Sequence, residues 1–294
     1  GKPLVGTPAL KEEGRIVHFD ASWGVTARTN EDASVEVTGW ASRAGGGWTA
    51  NPLGSPVYSE WEFGDMPSVN MPGDQRFWFQ KDGVNTSVLG IGSVFWVIGS
   101  QEGGGFVLGG GDQNPASDGK VAYYPWHRAG SQGLGAQYAS DAIYSSSGLA
   151  WVGDGSWRLN GEAIKASKTG LSGGWDVMSW RAKDENSLCP AAGFAFDGRI
   201  FAGENYSSRA GNQRLAEVLI YTNKLTEAEI RATETYLNLK WGLNHTLAAP
   251  EQDIDLWVAA GASVKLGGYN FFRSVGGSGT VTGDFGAATF VPDA

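Results

Sequence analysis

The sequence predicts an all-β protein, a sandwich or a barrel of short strands, and three observations support this fold class. Short apolar or alternating runs recur along the chain, separated by clusters of Gly, Asn, Asp and Ser, as expected for many strands joined by tight turns. Glycine supplies 45 of the 294 residues but has no three-residue period, so a collagen-like chain is excluded. A hydrophobic content of 41% with 12% aromatic residues excludes a disordered chain.

Eight short runs are the clearest strand candidates. They are residues 16–19, 35–40, 76–79, 93–98, 106–108, 121–124, 149–152 and 215–221. The strongest local hairpin signal spans residues 157–164, with Asn160 and Gly161 at its centre. Because Asn and Gly readily take positive φ angles, this pair predicts a type I′ turn between two strands.

One helix is predicted, over residues 226–240. Thr226 can cap its first turn while Glu229, three residues later, returns the bond of a capping box. Gly242 supplies the stop signal. An apolar stripe would face the β body, formed by Ile230, Thr233, Leu237 and Trp241. The helix is too short and too polar on its other side to be more than a cover on that body.

The composition changes after the helix, and we divide the chain there. Residues 1–249 are predicted to form one large domain and residues 250–294 a small β appendage, with a linker-like run at 248–253. The appendage has thin, small-residue strands that are too few to bury a core alone. We expect it to lean on the main domain or to begin a longer β array.

Bulk charge and cysteine content limit the function. The chain has 22 basic and 31 acidic residues and a net charge of −9, which argues against a nucleic acid or an anionic membrane surface as partner. No stretch approaches the ~20 apolar residues of a membrane span, so membrane insertion is not expected. The single cysteine, Cys189, excludes an internal disulfide and is expected to be an inert thiol.

A family resemblance is carried by residues 214–242. The strand-like run 214–221 leads through Leu225-Thr226 into the helix that ends at Lys240-Trp241-Gly242, and this run resembles the closing strand and helix of laminin-G-like, concanavalin A-like lectin/glucanase domains of secreted bacterial proteins. Runs 17–22 and 95–109 resemble the opening strand and central hairpin of these domains. The resemblance covers residues 14–243 and implies a two-sheet antiparallel jelly roll with one short C-terminal helix. That fold hosts lectins, hydrolases, lyases and spacers.

The appendage has a likeness of its own. Its runs 256–268 and 276–283 are similar to the β-strand repeats associated with the passengers of bacterial autotransporters. This likeness implies a secreted or cell-surface protein. The sequence begins with Gly1 and shows no signal peptide, so we expect a trimmed chain that is part of a larger multidomain protein.

Loop aromatics are the candidate carbohydrate-binding residues, because aromatic rings stack on the C–H face of a pyranose while Arg and His bond its hydroxyls. The densest mixture of both types is the run 123–128. The full candidate set is Trp48, Tyr124, Trp126, His127, Arg128, Trp175, Trp180 and Arg181. For any one ring, plugging the sandwich beneath a long loop is the alternative. Core packing is expected for Trp23, Trp40, Trp96, Trp151, Trp241 and Trp257.

A calcium site is the one cofactor hypothesis. Asp112, Asn114 and Asp118 in the glycine-rich run 109–119 offer hard oxygen ligands, although the EF-hand spacing is absent. Asp and Asn are also ordinary turn residues. The resemblance adds to the hypothesis, since many such domains hold a structural calcium.

We therefore expect non-catalytic binding of a polysaccharide or of the glycan of a glycoconjugate. A glycoside hydrolase or a polysaccharide lyase of the same fold is one alternative. For a hydrolase, Glu60 and Glu62 would share one face of a strand with Asp65 just after it, but the alternating E-x-D-x-(x)-E strand of jelly-roll glycosidases is not reproduced. An adhesion or spacer domain without a sugar site is the other alternative.

Overall fold

The fold was obtained as a computed structural model. The structure describes residues 10–60, 62, 66–73, 75–85, 87–88, 90–100, 108–110, 143, 150–185, 192–196, 199–201, 204–206, 213–243, 245, 255–258, 263–265, 274–277 and 280–282. In these residues the chain is mostly antiparallel sheet with one long helix, so the predicted all-β class is confirmed.

Within the described residues, twenty-two strands and two helices follow one another. They are β1 (Arg15–Asp20), β2 (Val25–Thr29), β3 (Val35–Ala41), β4 (Trp48–Leu53), β5 (Val57–Ser59), β6 (Ser68–Asn70), β7 (Arg76–Lys81), β8 (Val84–Asn85), β9 (Ser87–Val88), β10 (Ser93–Ser100), β11 (Gly109–Gly110), α1 (Ala150–Gly153), β12 (Ser156–Leu159), β13 (Glu162–Ile164), β14 (Trp175–Arg181), β15 (Ala192–Phe196), β16 (Arg199–Phe201), β17 (Glu204–Tyr206), β18 (Gln213–Tyr221), α2 (Glu227–Lys240), β19 (Asp255–Val258), β20 (Ser263–Lys265), β21 (Ser274–Gly277) and β22 (Thr280–Thr282).

Strand β18 organises the sheet. One of its edges pairs along its length with β10, which in turn pairs with β14, and β14 pairs with the hairpin β12–β13. Its other edge is shared, because β1 pairs with residues 217–221 and β6 with residues 214–215. Through β6 the pairing continues to β5, β3, β4 and β7. All of these pairings are antiparallel.

The core lies between β1 and the strands β3 and β7. Phe19 of β1 is fully buried, and its ring centroid lies 5.4 Å from those of Trp40 on β3 and Phe79 on β7. Strand β1 does not pair with β3 or β7, so these rings meet across two layers that face each other. Strand alternation then directs His18 and Asp20 to the opposite face of β1. Helix α2 covers that opposite face.

The hairpin and the helix confirm the local predictions. Asn160 and Gly161 have φ angles of 51° and 84° between β12 and β13, as a type I′ turn requires. At the start of α2 the Thr226 side chain accepts from the Glu229 backbone N–H, and the Glu229 carboxylate accepts from the Thr226 backbone N–H. Gly242 follows the helix with a φ of 61°, a conformation that favours glycine.

Some element predictions are wrong and others fall outside the described residues. Residues 150–152 of the predicted strand 149–152 instead belong to the helical turn α1 (Ala150–Gly153). The carbonyl of Val152 accepts from the indole N–H groups of both Trp157 and Trp180, so contacts from β12 and β14 hold this turn. The predicted strand 121–124 and most of the predicted strand 106–108 lie outside the described residues, whereas the other five candidates are strands.

The strands of the predicted appendage pair differently from those of the main body. Strand β19 pairs with β21 and strand β20 with β22, and both pairings are parallel. The paired residues Asp255 and Ser274 are 19 positions apart, and Ser263 and Thr280 are 17 apart. Among the described residues these four strands pair only with one another. The boundary between the two parts stays a prediction.

Candidate functional site

Only some of the predicted binding residues fall in the described part of the chain. The densest predicted cluster, Tyr124, Trp126, His127 and Arg128, lies outside it, as do the predicted calcium ligands Asp112, Asn114 and Asp118. Trp48, Trp175, Trp180 and Arg181 are described. Sugar binding by the cluster 124–128 and calcium binding by the run 109–119 therefore stay predictions.

Two of these four candidates, Trp48 and Trp180, are tryptophans whose rings are buried. Trp180 is fully buried and donates its indole N–H to the carbonyl of Val152. Trp48 is 8% exposed and belongs to the same hydrophobic core. A sugar cannot stack on a ring whose faces are packed against protein. For these two positions the structure supports the core-packing alternative, because β14 and β4 direct both rings inward.

Arg181 lies at the helix rather than at a loop. Its guanidinium is 3.4 Å from the carboxylate of Glu227 and donates to the carbonyl of Leu225 at 3.5 Å. Glu227 also accepts from Arg158 at 3.1 Å. Arg181 therefore helps to hold the first turn of α2 against β14, and a role in docking the helix accounts for its position.

Trp175 is the predicted residue that the structure places beside other sugar-compatible groups. It pairs with Gly99 of β10, and Gly99 pairs with Arg214 of β18, so these three residues form a row across adjacent strands. The guanidinium of Arg214 lies 5.0 Å from the centroid of the half-buried Trp175 ring. It also donates to Glu62 at 2.5 Å, and both side chains of this ion pair are about one-fifth exposed.

Gly99 gives the row its shape. A Cβ at position 99 would lie 3.0 Å from the Arg214 side chain and 3.1 Å from the Trp175 ring. The absence of a side chain thus leaves the space in which the guanidinium approaches the ring. The backbone of Trp175 is also held, because His245 Nε2 donates to its main-chain carbonyl at 2.9 Å. We call Trp175, Arg214 and Glu62 the Trp175 site.

A second aromatic group is exposed where the sequence predicts burial. Trp23 is 47% exposed in the turn between β1 and β2, so its assignment to the core is wrong. Its backbone N–H donates to the Asp20 carbonyl at 2.9 Å, closing a turn that directs the ring outward. The Arg43 guanidinium lies 5.8 Å from the ring centroid. Trp40, Trp96 and Trp241 are buried as predicted.

A buried network of charged side chains lies beside Trp23, beneath the end of α2. Its carboxylates are Asp20 and Glu217, both fully buried. Lys240 Nζ donates to Asp20 Oδ2 at 2.6 Å and also to Glu217. His18 Nε2 donates to Glu217 Oε1 at 2.6 Å. Arg43 donates to Asp20 at 2.6 Å from the solvent side.

The pKa values of the network reflect burial opposed by pairing. Burial alone would raise the pKa of Asp20, but the adjacent Lys240 ammonium and the bonds from Ser22 and Arg43 lower it to about 2. Burial would likewise lower the pKa of Lys240, and Glu217 and Asp20 together raise it above its ordinary value. Asp20 is therefore ionised and Lys240 protonated at neutral pH.

This cluster contains the donor types of a metal site, yet it does not fit calcium. One ligand atom each from His18, Asp20 and Glu217 lies within 4.8 Å of the others. Calcium prefers an all-oxygen shell, and imidazole is a poor ligand for it. Lys240 already places its positive charge between the two carboxylates. We conclude that the Lys240 ammonium occupies the position that a metal ion would need between the two carboxylates.

A second buried network fixes the middle of the helix. Glu234 of α2 is 1% exposed and accepts from Ser179 at 2.6 Å and from Arg158 at 3.0 Å. Burial raises the pKa of Glu234 in spite of these bonds. The inner face of α2 is thus docked by ionic groups as well as by its apolar stripe, and it leaves this part of the sheet without an open binding surface.

The carboxylate pair considered for catalysis is not on one strand. Strand β5 ends at Ser59, so Glu60 follows it in a bend and Glu62 lies in a turn. The alternation that would place both side chains on one face of a strand is therefore absent. Glu62 is instead paired with Arg214. Asp65 lies outside the described residues.

Comparisons with known proteins identify no relative, so the function has to be inferred from the geometry of the site. No family model, no curated protein and no solved structure matches this chain. Within the described part of the chain, no helix is long and apolar enough to cross a membrane.

Proposed function

We propose that this protein binds carbohydrate without cleaving it, as a secreted or surface protein that engages a polysaccharide or the glycan of a glycoconjugate. The observation that carries the proposal is the Trp175 site. Its half-buried indole, guanidinium and carboxylate lie together at one end of the central strands, with the ring 5.0 Å from the guanidinium. The family resemblance agrees with this function but does not select it, because the fold also serves enzymes and spacers.

The chemistry of the three groups suits a neutral sugar. An indole offers a flat apolar surface to the C–H face of a pyranose at little cost in side-chain entropy. Arg214 offers planar N–H donors and Glu62 offers carboxylate acceptors, so a sugar hydroxyl can be bonded either as an acceptor or as a donor. Because Glu62 and Arg214 hold each other in place at 2.5 Å, part of the ordering cost of binding is met before the ligand arrives.

Affinity electrophoresis through gels that contain xylan, mixed-linkage β-glucan, galactomannan or starch tests the proposal. The wild-type chain should be retarded by at least one of these polysaccharides. Trp175→Ala should remove most of the retardation, and Glu62→Gln should weaken it. Val84→Ala is the matched control, because Val84 is an exposed apolar side chain, 66% accessible, outside the site. Thermal unfolding should show that all variants are folded.

Two results would count against binding without catalysis. If none of the four gels retards the chain and a broad glycan array is also blank, the spacer alternative is favoured. If reducing ends or unsaturated products accumulate in solution and Glu62→Gln stops their release, the protein is an enzyme and Glu62 takes part in its reaction.

A further inference from the structure

Trp23 and Arg43 together have the features of a contact site for a ligand. One exposed apolar side chain needs no special explanation. Here, however, the exposed indole is accompanied by a guanidinium 5.8 Å from its centroid, and that guanidinium has a side chain 41% exposed. A flat apolar surface and a planar set of donors thus lie side by side in solvent.

The buried network fixes Arg43 in this position. One of its terminal nitrogens donates to Asp20 at 2.6 Å, and Asp20 is held from behind by Lys240 and by the hydroxyl and backbone N–H of Ser22. An arginine anchored in this way loses little side-chain freedom when it binds. Trp23 is fixed by its backbone bond to the carbonyl of the same Asp20. Asp20 therefore holds both residues, Arg43 through its buried carboxylate and the backbone of Trp23 through its main-chain carbonyl.

The charges favour an uncharged ligand. The positive charge of Arg43 is already matched by Asp20, and the chain carries a net charge of −9 that repels polyanions. The remaining N–H groups of a guanidinium can still donate to hydroxyl and ring oxygens. The indole can stack on the C–H face of a sugar. A neutral pyranose matches both requirements.

We propose that Trp23 and Arg43 form a second sugar-contact site, in addition to the Trp175 site, so that the domain holds a neutral polysaccharide at two points. This inference rests on the proposed carbohydrate binding. Strands β1, β18, β10 and β14 are successive neighbours, so β1, which leads into the Trp23 turn, and β14, which begins at Trp175, are about 14 Å apart at roughly 4.8 Å per step. One polysaccharide chain is long enough to reach both, and two-point binding raises affinity without new contacts.

Indole N–H resonances provide a test that reports each site separately. The protein is labelled with ¹⁵N-tryptophan, and the Trp23 and Trp175 signals are assigned with Trp23→Phe and Trp175→Phe. Xylobiose, cellobiose, mannobiose and maltose, each too short to bridge a separation of ~14 Å, are then titrated. The disaccharide that matches the retarding polysaccharide should shift both signals, while the signal of the buried Trp180, whose indole N–H donates to the carbonyl of Val152, stays fixed.

The variants separate this inference from the proposed function. Trp23→Ala should leave the disaccharide shift of Trp175 unchanged but lower affinity for the polymer by roughly tenfold or more. Arg43→Lys should weaken the Trp23 shift alone. If Trp175 shifts and Trp23 does not, the second site is refuted and carbohydrate binding stands. If no polysaccharide or disaccharide binds, both proposals fail.

Discussion

Replacing Lys240 with methionine should destabilise the protein strongly, because it removes the ammonium that joins two buried carboxylates. The Lys240 side chain is 10% exposed, and Asp20 and Glu217 are fully inaccessible. Methionine keeps most of the aliphatic length of lysine but removes the ammonium that pairs with both Asp20 and Glu217. Removing one partner of a buried ion pair typically costs about 3–5 kcal/mol. We expect a loss of that size in the free energy of unfolding at pH 7.

Urea unfolding followed by tryptophan fluorescence measures this loss. A decrease of about 3–5 kcal/mol corresponds to a fall of ~10 °C in the midpoint of thermal unfolding for a chain of this size. The matched control is Lys11→Met. Lys11 also pairs with a carboxylate, Glu229 at 2.7 Å, but their side chains are 29% and 30% exposed. Since pairs screened by solvent contribute little, this variant should unfold close to the wild type.

A double variant decides whether the uncompensated charge is the cause. If Lys240→Met destabilises because Glu217 is left buried and underpaired, Lys240→Met/Glu217→Gln should be more stable than Lys240→Met alone. Additive losses in the two single variants would contradict this reasoning. A Lys240→Met protein no less stable than Lys11→Met would refute the stabilising role of the network altogether.

Three further predictions follow from other features. The pKa of Asp20 is about 2 in the folded protein against an ordinary 3.8. The ionised Asp20 carboxylate therefore adds about 2 kcal/mol to the free energy of unfolding above pH 4, and this stabilisation is lost as the pH falls towards 2. Urea midpoints from pH 2 to 6 measure the loss, and Asp20→Asn should flatten the profile. Thr226→Ala should cost about 1 kcal/mol by removing the helix cap, whereas an unchanged urea midpoint would show that tertiary contacts alone hold this end. If the proposed calcium site exists, millimolar CaCl₂ should raise the thermal midpoint and EDTA should reverse the rise; a midpoint insensitive to both would exclude structural calcium.

The parts of the fold that were predictable are those stabilised by neighbours in sequence. The Asn160-Gly161 turn and the Thr226–Glu229 capping box depend on residues at most three positions apart, so their signals survive in any context. Residues 149–152 show the limit of this approach. Their apolar run suits a strand, but the indoles of Trp157 and Trp180, five and 28 positions away, donate to the carbonyl of Val152 and hold a helical turn instead.

The site residues were harder to find for the same reason. Trp175 was predicted from its glycine-rich loop, but the partners Arg214 and Glu62 are 39 and 113 positions away along the chain. Trp23 was misassigned because strand-like neighbours conceal a turn, which is set by its bond to Asp20. One signal was available for the buried network, since Glu217 is the only charged residue in the otherwise apolar run 215–221. An acid in such a run requires a buried cationic partner.

The network also has a consequence for the order in which the domain can form. Its first members are on β1 and its last is Lys240, so the bond between Asp20 and Lys240 spans 220 positions. At a synthesis rate of roughly 5–20 residues per second, Asp20 leaves the ribosome about 10–40 s before its partner exists. For most of that interval β1 also lacks β18, which supplies its pairing. The nascent chain therefore cannot complete its native structure until the last helix of the β body has been made.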